Sequence, residues 1–182
     1  MLIKPIQAFD KTLLDVFNKG MRNPLLDIFF PLITKLGEVV VIFPVFLLLF
    51  LFGKKNGKRT STLMVLAYLL SRLLTLCLKY LTHRPRPFAV YPDLRILEPS
   101  PFSSFPSGHA TLVTALAVVI GTKYEDWQWL MWVLVGVVAM SRMYMGLHYP
   151  TDVASGIILG LGIGFATNAI EKIYDRKKRR SK

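Results

Sequence analysis

The stretch Thr60–Leu81, TSTLMVLAYLLSRLLTLCLKYL, decides the fold class. Its 22 residues carry two charges, Arg72 and Lys79. At about 1.5 Å per residue a helix of that length reaches about 33 Å, enough to cross a bilayer core of about 30 Å. It runs into His83-Arg84-Pro85-Arg86-Pro87, where prolines two residues apart cannot continue a helix. Further apolar segments flank it: Gly37–Phe52 before, and Ser107–Gly121, Trp127–Tyr144 and Pro150–Ile173 after. Together they predict an all-α fold, a polytopic transmembrane helix bundle of about five to six spans. Trp127, Trp129 and Trp132 suit a membrane interface.

Composition agrees. The chain has 182 residues, 53% of them hydrophobic, and a mean hydropathy of +0.44, so one membrane domain is expected. The net charge is +12, and its placement carries the information. Lys54, Lys55, Lys58 and Arg59 fill one short connection, and seven more basic residues lie between Lys172 and Lys182. Basic segments are retained in the cytoplasm, so both are expected inside. The tail is read as a topology signal that meets anionic headgroups, and no nucleic acid is expected as a partner. Cys77, the single cysteine, excludes an intrachain disulfide and a cysteine zinc cluster and is expected to be a small buried hydrophobe. No cleavable signal peptide is expected.

Residues 1–36 read as N-terminal interfacial or re-entrant helices. Over residues 5–18, Ile6, Phe9, Leu13, Val16 and Phe17 recur at helical spacing, while Gln7, Asp10, Lys11 and Asp15 fall elsewhere. Such a helix lies in the membrane interface or packs on the bundle. Asn23-Pro24 reads as an N-cap and first helical residue, and the helix to about Leu36 is too short to span alone. The bundle is expected over 37–175, with a basic cytoplasmic tail over 176–182. In the last span Gly156, Gly160 and Gly164 recur every four residues. That spacing allows close helix approach; packing inside the bundle is the default, and a homodimer is permitted but not required.

Three clusters of polar residues stand at span ends. Lys79 and Arg86, with Pro87, bracket the proline break, so both cations can turn to one anion; Arg offers a planar fork and Lys a point charge. The alternative is interfacial snorkelling. Pro106-Ser107-Gly108-His109 starts a helix whose first amides bind anions, and a histidine there can protonate a leaving oxygen. In the third cluster Pro150 opens a helix just after His148, so Asp152 in its first turn can reach one imidazole nitrogen and leave the other to attack. Arg142 would neutralise phosphoryl oxygens. Counting spans back from an inside tail puts all three clusters on the outer, extracytoplasmic face.

Taken in order, Lys79-x6-Arg86-Pro87, Pro106-Ser107-Gly108-His109 and Ser141-Arg142-x5-His148-x3-Asp152 resemble the three-part signature of the type 2 phosphatidic acid phosphatase (lipid phosphate phosphatase) family, with every position filled. The resemblance covers Lys79–Asp152 by motif and about 37–175 by span pattern. It implies a metal-independent hydrolase that dephosphorylates lipids through a phosphohistidine, with no cofactor. His148 would be the nucleophile, Asp152 its orienting partner and His109 the general acid. Lys79, Arg86, Ser107, Gly108 and Arg142 would form the phosphate cradle. The implied substrates are lipid phosphates such as undecaprenyl diphosphate, phosphatidylglycerol phosphate or phosphatidic acid.

Two rivals stand beside this reading. A zinc hydrolase could use His83, His109 and His148, the three histidines of the chain, although the nearby cations would repel a divalent ion. A non-catalytic lipid-binding or lipid-moving protein could use the same cations, but would not need the His148–Asp152 pair. Arg72, one helical repeat before Lys79, is expected to face the bundle, paired with an acid such as Glu38 or meeting a headgroup. His83 and Arg84 are read as shaping substrate choice or as loop surface.

Overall fold

A computed structural model describes residues 3–97 and 103–181; expectations that fall on 1, 2, 98–102 and 182 lie outside them. The chain is helical along almost all of that length. Helix α1 covers Ile3–Asp15 and continues into one π turn, Val16–Gly20. Helix α2, Pro24–Thr34, starts where Asn23 accepts a hydrogen bond from the Leu25 amide. A 3-10 turn at Lys35–Gly37 joins it to α3, Val39–Phe52. The two helices meet at 50° and count as one span only if the bent pair crosses together.

Helix α4, Lys54–Thr82, is longer than the sequence suggested. The basic segment is its first turns rather than a loop. The reversal from α3 is tight enough to need none: Lys54 takes a positive φ of 38°, and a Cβ on Gly53 would lie 2.3 Å from the Leu49 carbonyl oxygen. After the break come α5, Pro87–Val90, and α6, Gly108–Lys123. A 3-10 turn, Glu125–Trp127, then leads to α7, Gln128–Tyr144, and finally α8, Pro150–Arg180. The basic tail therefore continues α8, where Lys and Arg favour the negative helix end.

All five apolar segments are helices. Among the described residues, α4 with its extension to Val90 and α8 are long and apolar enough to cross a membrane, and the α2–α3 pair makes a third if taken together. Helix α6 is apolar but short. It is also the centre of the bundle: Ala110 to Val119 are all buried, as expected for a helix apolar all round. Helices α4, α7 and α8 pack around it. Helix α8 approaches most closely, because a Cβ on Gly156, Gly160 or Gly164 would lie 2.6, 2.4 and 2.6 Å from Ser107 O, Thr111 O and Val118 Cβ. The glycine stripe is used within the chain, whereas Gly162 has nothing within 4 Å.

The outward faces carry Phe43, Leu47, Leu69, Leu73 and Ile158. Cys77 is exposed on that side of α4, not buried, because its neighbours on the helix face outward too. Helix α1 is inverted relative to a simple interfacial helix. Ile6, Phe9 and Val16 point outward, while Leu14 and the polar Asp10 and Asn18 are buried against the protein. Asn18 explains the π turn's position: its amide donates to the carbonyls of Arg95 at 2.8 Å and Tyr144 at 2.7 Å, and its oxygen accepts from the Arg95 amide at 2.9 Å. At the opposite end of the bundle Arg59 pairs with Glu171 and Asp175, and Lys123 with Glu171.

Candidate active site

The ends of α4 and α7 and the starts of α6 and α8 meet at one end of the bundle. A cavity of about 330 Å³ opens there, lined by Lys79, Arg86, Gly108, His109, Arg142 and His148 among others. Residues from all three sequence clusters thus share one cavity. Ser107 and Asp152 are fully buried just behind it, and the Ser107 amide donates to the Asp152 carbonyl at 3.0 Å.

His148 lies in the turn between α7 and α8. Its Nδ1 is 2.7 Å from the carbonyl oxygen of Ser104. A carbonyl only accepts, so Nδ1 carries the hydrogen and Nε2 the lone pair. Nε2 stands 3.4 Å from a guanidinium nitrogen of Arg86, and Arg86 is itself held by the Leu147 carbonyl at 2.8 Å. Burial, with Arg142, Arg86 and Lys79 nearby, keeps the His148 imidazole well below its ordinary value of 6.5. The ring is therefore neutral at pH 7.

The Asp152 carboxylate is 3.8 Å from His148 Nδ1, beyond hydrogen-bond length. The expected direct link from Asp152 to the imidazole is absent; a backbone carbonyl makes it instead. Asp152 sits one step back, accepting from the Tyr149 amide at 2.9 Å in the first turn of α8 and pairing with Arg84. Its negative charge still faces the ring edge.

His109 is the second residue of α6, after the Ser107 cap. Its Nε2 is buried and has no hydrogen-bond partner among the described residues. Gly37 backs its ring, where a Cβ would stand 2.8 Å from Cδ2. Lys79 donates to the Ser103 carbonyl, and Arg142 donates to the Thr34 hydroxyl at 2.8 Å. The cavity's charged and imidazole side chains are therefore braced by residues the sequence motifs do not include: Thr34, Gly37, Ser103 and Ser104. No spacing pattern signals them, since two of them act through backbone oxygens.

Arg72 lines the cavity with Glu38 and Thr75, but makes no ion pair with Glu38 or any other acid among the described residues. His83 caps α4 in the left-handed conformation and packs on Tyr80, away from the cavity lining. Among the described residues no three His, Cys, Asp or Glu side chains gather as a metal site. Arg84 is neither loop surface nor cavity lining. It bonds Asp10 at 2.6 Å and Thr151 at 2.9 Å, reaches Asp152, and stacks 4.0 Å over the Tyr149 ring.

Known proteins resemble this chain over most of its length. The chain is 34% identical over 148 residues to an undecaprenyl-diphosphatase from Sulfolobus acidocaldarius, covering 80% of this chain and 71% of that one. It superposes on the crystal structure of Aquifex aeolicus LpxE with a TM-score of 0.79 and 30% identity, covering 87% and 93% of the two chains. The first transmembrane PAP2 type phosphatidylglycerolphosphate phosphatase from Bacillus subtilis gives a TM-score of 0.77 at 25% identity, covering 94% and 88%. Residues 60–174, spanning all three clusters, match the profile of the PAP2 superfamily. The signature that the sequence resembles is thus carried by a membrane helix bundle of the same shape, and the chain belongs to the PAP2 superfamily.

Proposed function

We propose that His148 is the nucleophile and His109 the general acid and base of a membrane lipid phosphatase, acting on a lipid phosphate monoester or diphosphate. The observation that carries this reading is the shared cavity. A neutral imidazole whose tautomer is fixed by Ser104 shares the cavity with Lys79, Arg86 and Arg142, and a second imidazole lining it has a buried nitrogen with no hydrogen-bond partner among the described residues. Nε2 of His148 attacks phosphorus as the bond to the lipid oxygen breaks, and His109 gives that oxygen a proton. A water then loses its proton to His109 and attacks the phosphohistidine. The N–P bond breaks, phosphate leaves and His148 returns neutral. Arg86, Arg142 and Lys79 balance the phosphoryl charge, which matters most in the transition state. Asp152 steadies the cationic ring from behind.

The names of the relatives support undecaprenyl diphosphate and phosphatidylglycerol phosphate as substrates, with phosphatidic acid the third to test. The site is assigned to the extracytoplasmic face. Lys54, Lys55 and Lys58 and the end of α8 lie at the opposite end of the bundle, and basic residues favour the cytoplasm.

Purified protein in detergent, given a panel of these three lipids, tests the reading through phosphate release. Wild type should hydrolyse at least one of them, with full activity in excess EDTA. His148→Ala should lose at least ~10³-fold in kcat, the scale of a removed nucleophile. Release by His148→Ala at the native rate would leave a lipid-binding role in front. Loss in EDTA, restored by zinc, would favour the metallohydrolase.

A further inference from the structure

Asp10 lies outside the matched region, residues 60–174, yet it is 1% exposed. One carboxylate oxygen accepts from the Thr151 amide at 3.0 Å. The other accepts from the Thr151 hydroxyl at 2.7 Å and from Arg84 at 2.6 Å. Arg84 turns its other terminal nitrogen to Asp152 and to Thr151. One guanidinium is thus divided between two buried carboxylates, one on the N-terminal helix and one behind His148. A buried carboxylate is costly to desolvate unless its charge is paired, and here the pairing runs through Arg84 to the carboxylate behind His148.

We infer that Asp10 is a positioning residue of the active site: by sharing Arg84, it sets how much of the Asp152 charge remains to steady His148. This rests on the reading of His148 as nucleophile. When Nε2 attacks, the ring becomes cationic, and the field at its Nδ1 edge comes from the Ser104 carbonyl and Asp152. Arg84 subtracts from that field, and Asp10 offsets Arg84. The other charged or titratable groups that line the cavity with His148 are Glu38 just before α3, Tyr68, Arg72 and Lys79 of α4, Arg86 beyond its end, His109 of α6 and Arg142 of α7. None of them changes in the variants below.

Opposite charges at Asp10 and Arg84 give opposite signs. Removing the negative charge in Asp10→Asn leaves Arg84 opposed by Asp152 alone, so protonated His148 becomes less stable. The acid limb of kcat/KM should move to lower pH by about half a unit, and kcat should fall roughly 3–10-fold, the mild end of an indirect partner's effect, with KM nearly unchanged. Arg84→Gln should move the same limb to higher pH. Asp10→Glu keeps the charge and should hold the limb near wild type. Asp15→Asn, on the same helix but paired with Lys11 and Lys19, should match wild type.

The experiment is phosphate release against pH for these variants with the preferred lipid in detergent, alongside thermal unfolding. A purely structural tie would lower stability in both Asp10→Asn and Arg84→Gln and leave the limb in place, or shift both the same way; either result overturns the inference. If Arg84→Gln does not fold, the contrast between Asp10→Asn and Asp10→Glu decides: equal limbs overturn it. His148→Ala separates the two levels. An inactive His148→Ala with an unmoved limb in Asp10→Asn removes only this inference, whereas an active His148→Ala removes the nucleophile and the inference with it.

Discussion

Gly37→Ala tests whether His109 depends on its backing. Gly37 is buried at the bend between α2 and α3, and its φ is not in the left-handed region, so alanine meets no backbone strain there. The added Cβ would stand 2.8 Å from His109 Cδ2 and 3.4 Å from both His109 Cγ and Val113 Cγ2. Ordinary contact begins at 3.4 Å, so the ring must retreat by at least about 0.6 Å. The obstacle is a half-buried imidazole next to a helix start, not the end of a flexible chain. Overpacking of this kind costs about 1–3 kcal/mol, offset by about 0.4–1 kcal/mol from the stiffer unfolded chain. For the proposed proton donor, displacement by most of an ångström costs on the order of 10²-fold in rate. Expected, then, is a modest loss of thermal stability with a 10- to 100-fold loss of kcat, near the ~10²-fold scale for a misplaced group. The assay is steady-state phosphate release in detergent, with Gly162→Ala as the control because nothing lies within 4 Å of its Cβ. A folded Gly37→Ala with kcat within about twofold of wild type, well short of that scale, would refute the dependence of catalysis on the placement of His109.

Other outcomes follow from the same contacts. Activity against pH should be bell-shaped, and a flat profile from about pH 4 to 9 would refute the acid–base pair. His148 is held below 6.5 when folded, so the acid limb should lie below that value. The unfolded chain binds this proton more readily, so the group's contribution to stability is present above about 6.5 and is lost as pH falls below it, checked by thermal unfolding at several pH values. Gly160→Ala places a Cβ 2.4 Å from the Thr111 carbonyl oxygen, backbone that cannot turn aside. It should part α6 from α8 and cost about 3 kcal/mol, the upper end of overpacking, seen as a lower detergent melting temperature. Thr34→Val removes the hydroxyl that accepts from Arg142. It should lower kcat/KM by roughly tenfold, about the 1.4 kcal/mol of one charged hydrogen bond, measured with the preferred lipid.

The helices were legible because each was written in local terms. An apolar run of spanning length, a proline pair after Leu81 and a glycine stripe along α8 each fix backbone behaviour without reference to distant residues. The signature residues were legible too, since Lys79, Arg86, His109, Arg142 and His148 have no cheap apolar explanation at span ends. Helix lengths were less so. Lys54–Arg59 looked like a loop because charge suggests water, but a tight turn at Gly53 let the helix begin at once. Asp10 fell among the polar residues off the apolar spacing of α1, and nothing local showed that its carboxylate turns inward to Thr151 and Arg84.

By itself, then, the sequence determined the helical class and the chemical groups brought to the cavity, because hydrophobic periodicity and side-chain type are properties of each segment. Only the tertiary structure decided how those groups are held. It chose the Ser104 carbonyl rather than Asp152 as the bond to His148, Thr34 as the brace of Arg142, Gly37 as the wall behind His109 and Arg84 as the link between Asp10 and Asp152. These depend on which segments pack side by side, and several run through backbone atoms that every residue shares, so no residue type could announce them.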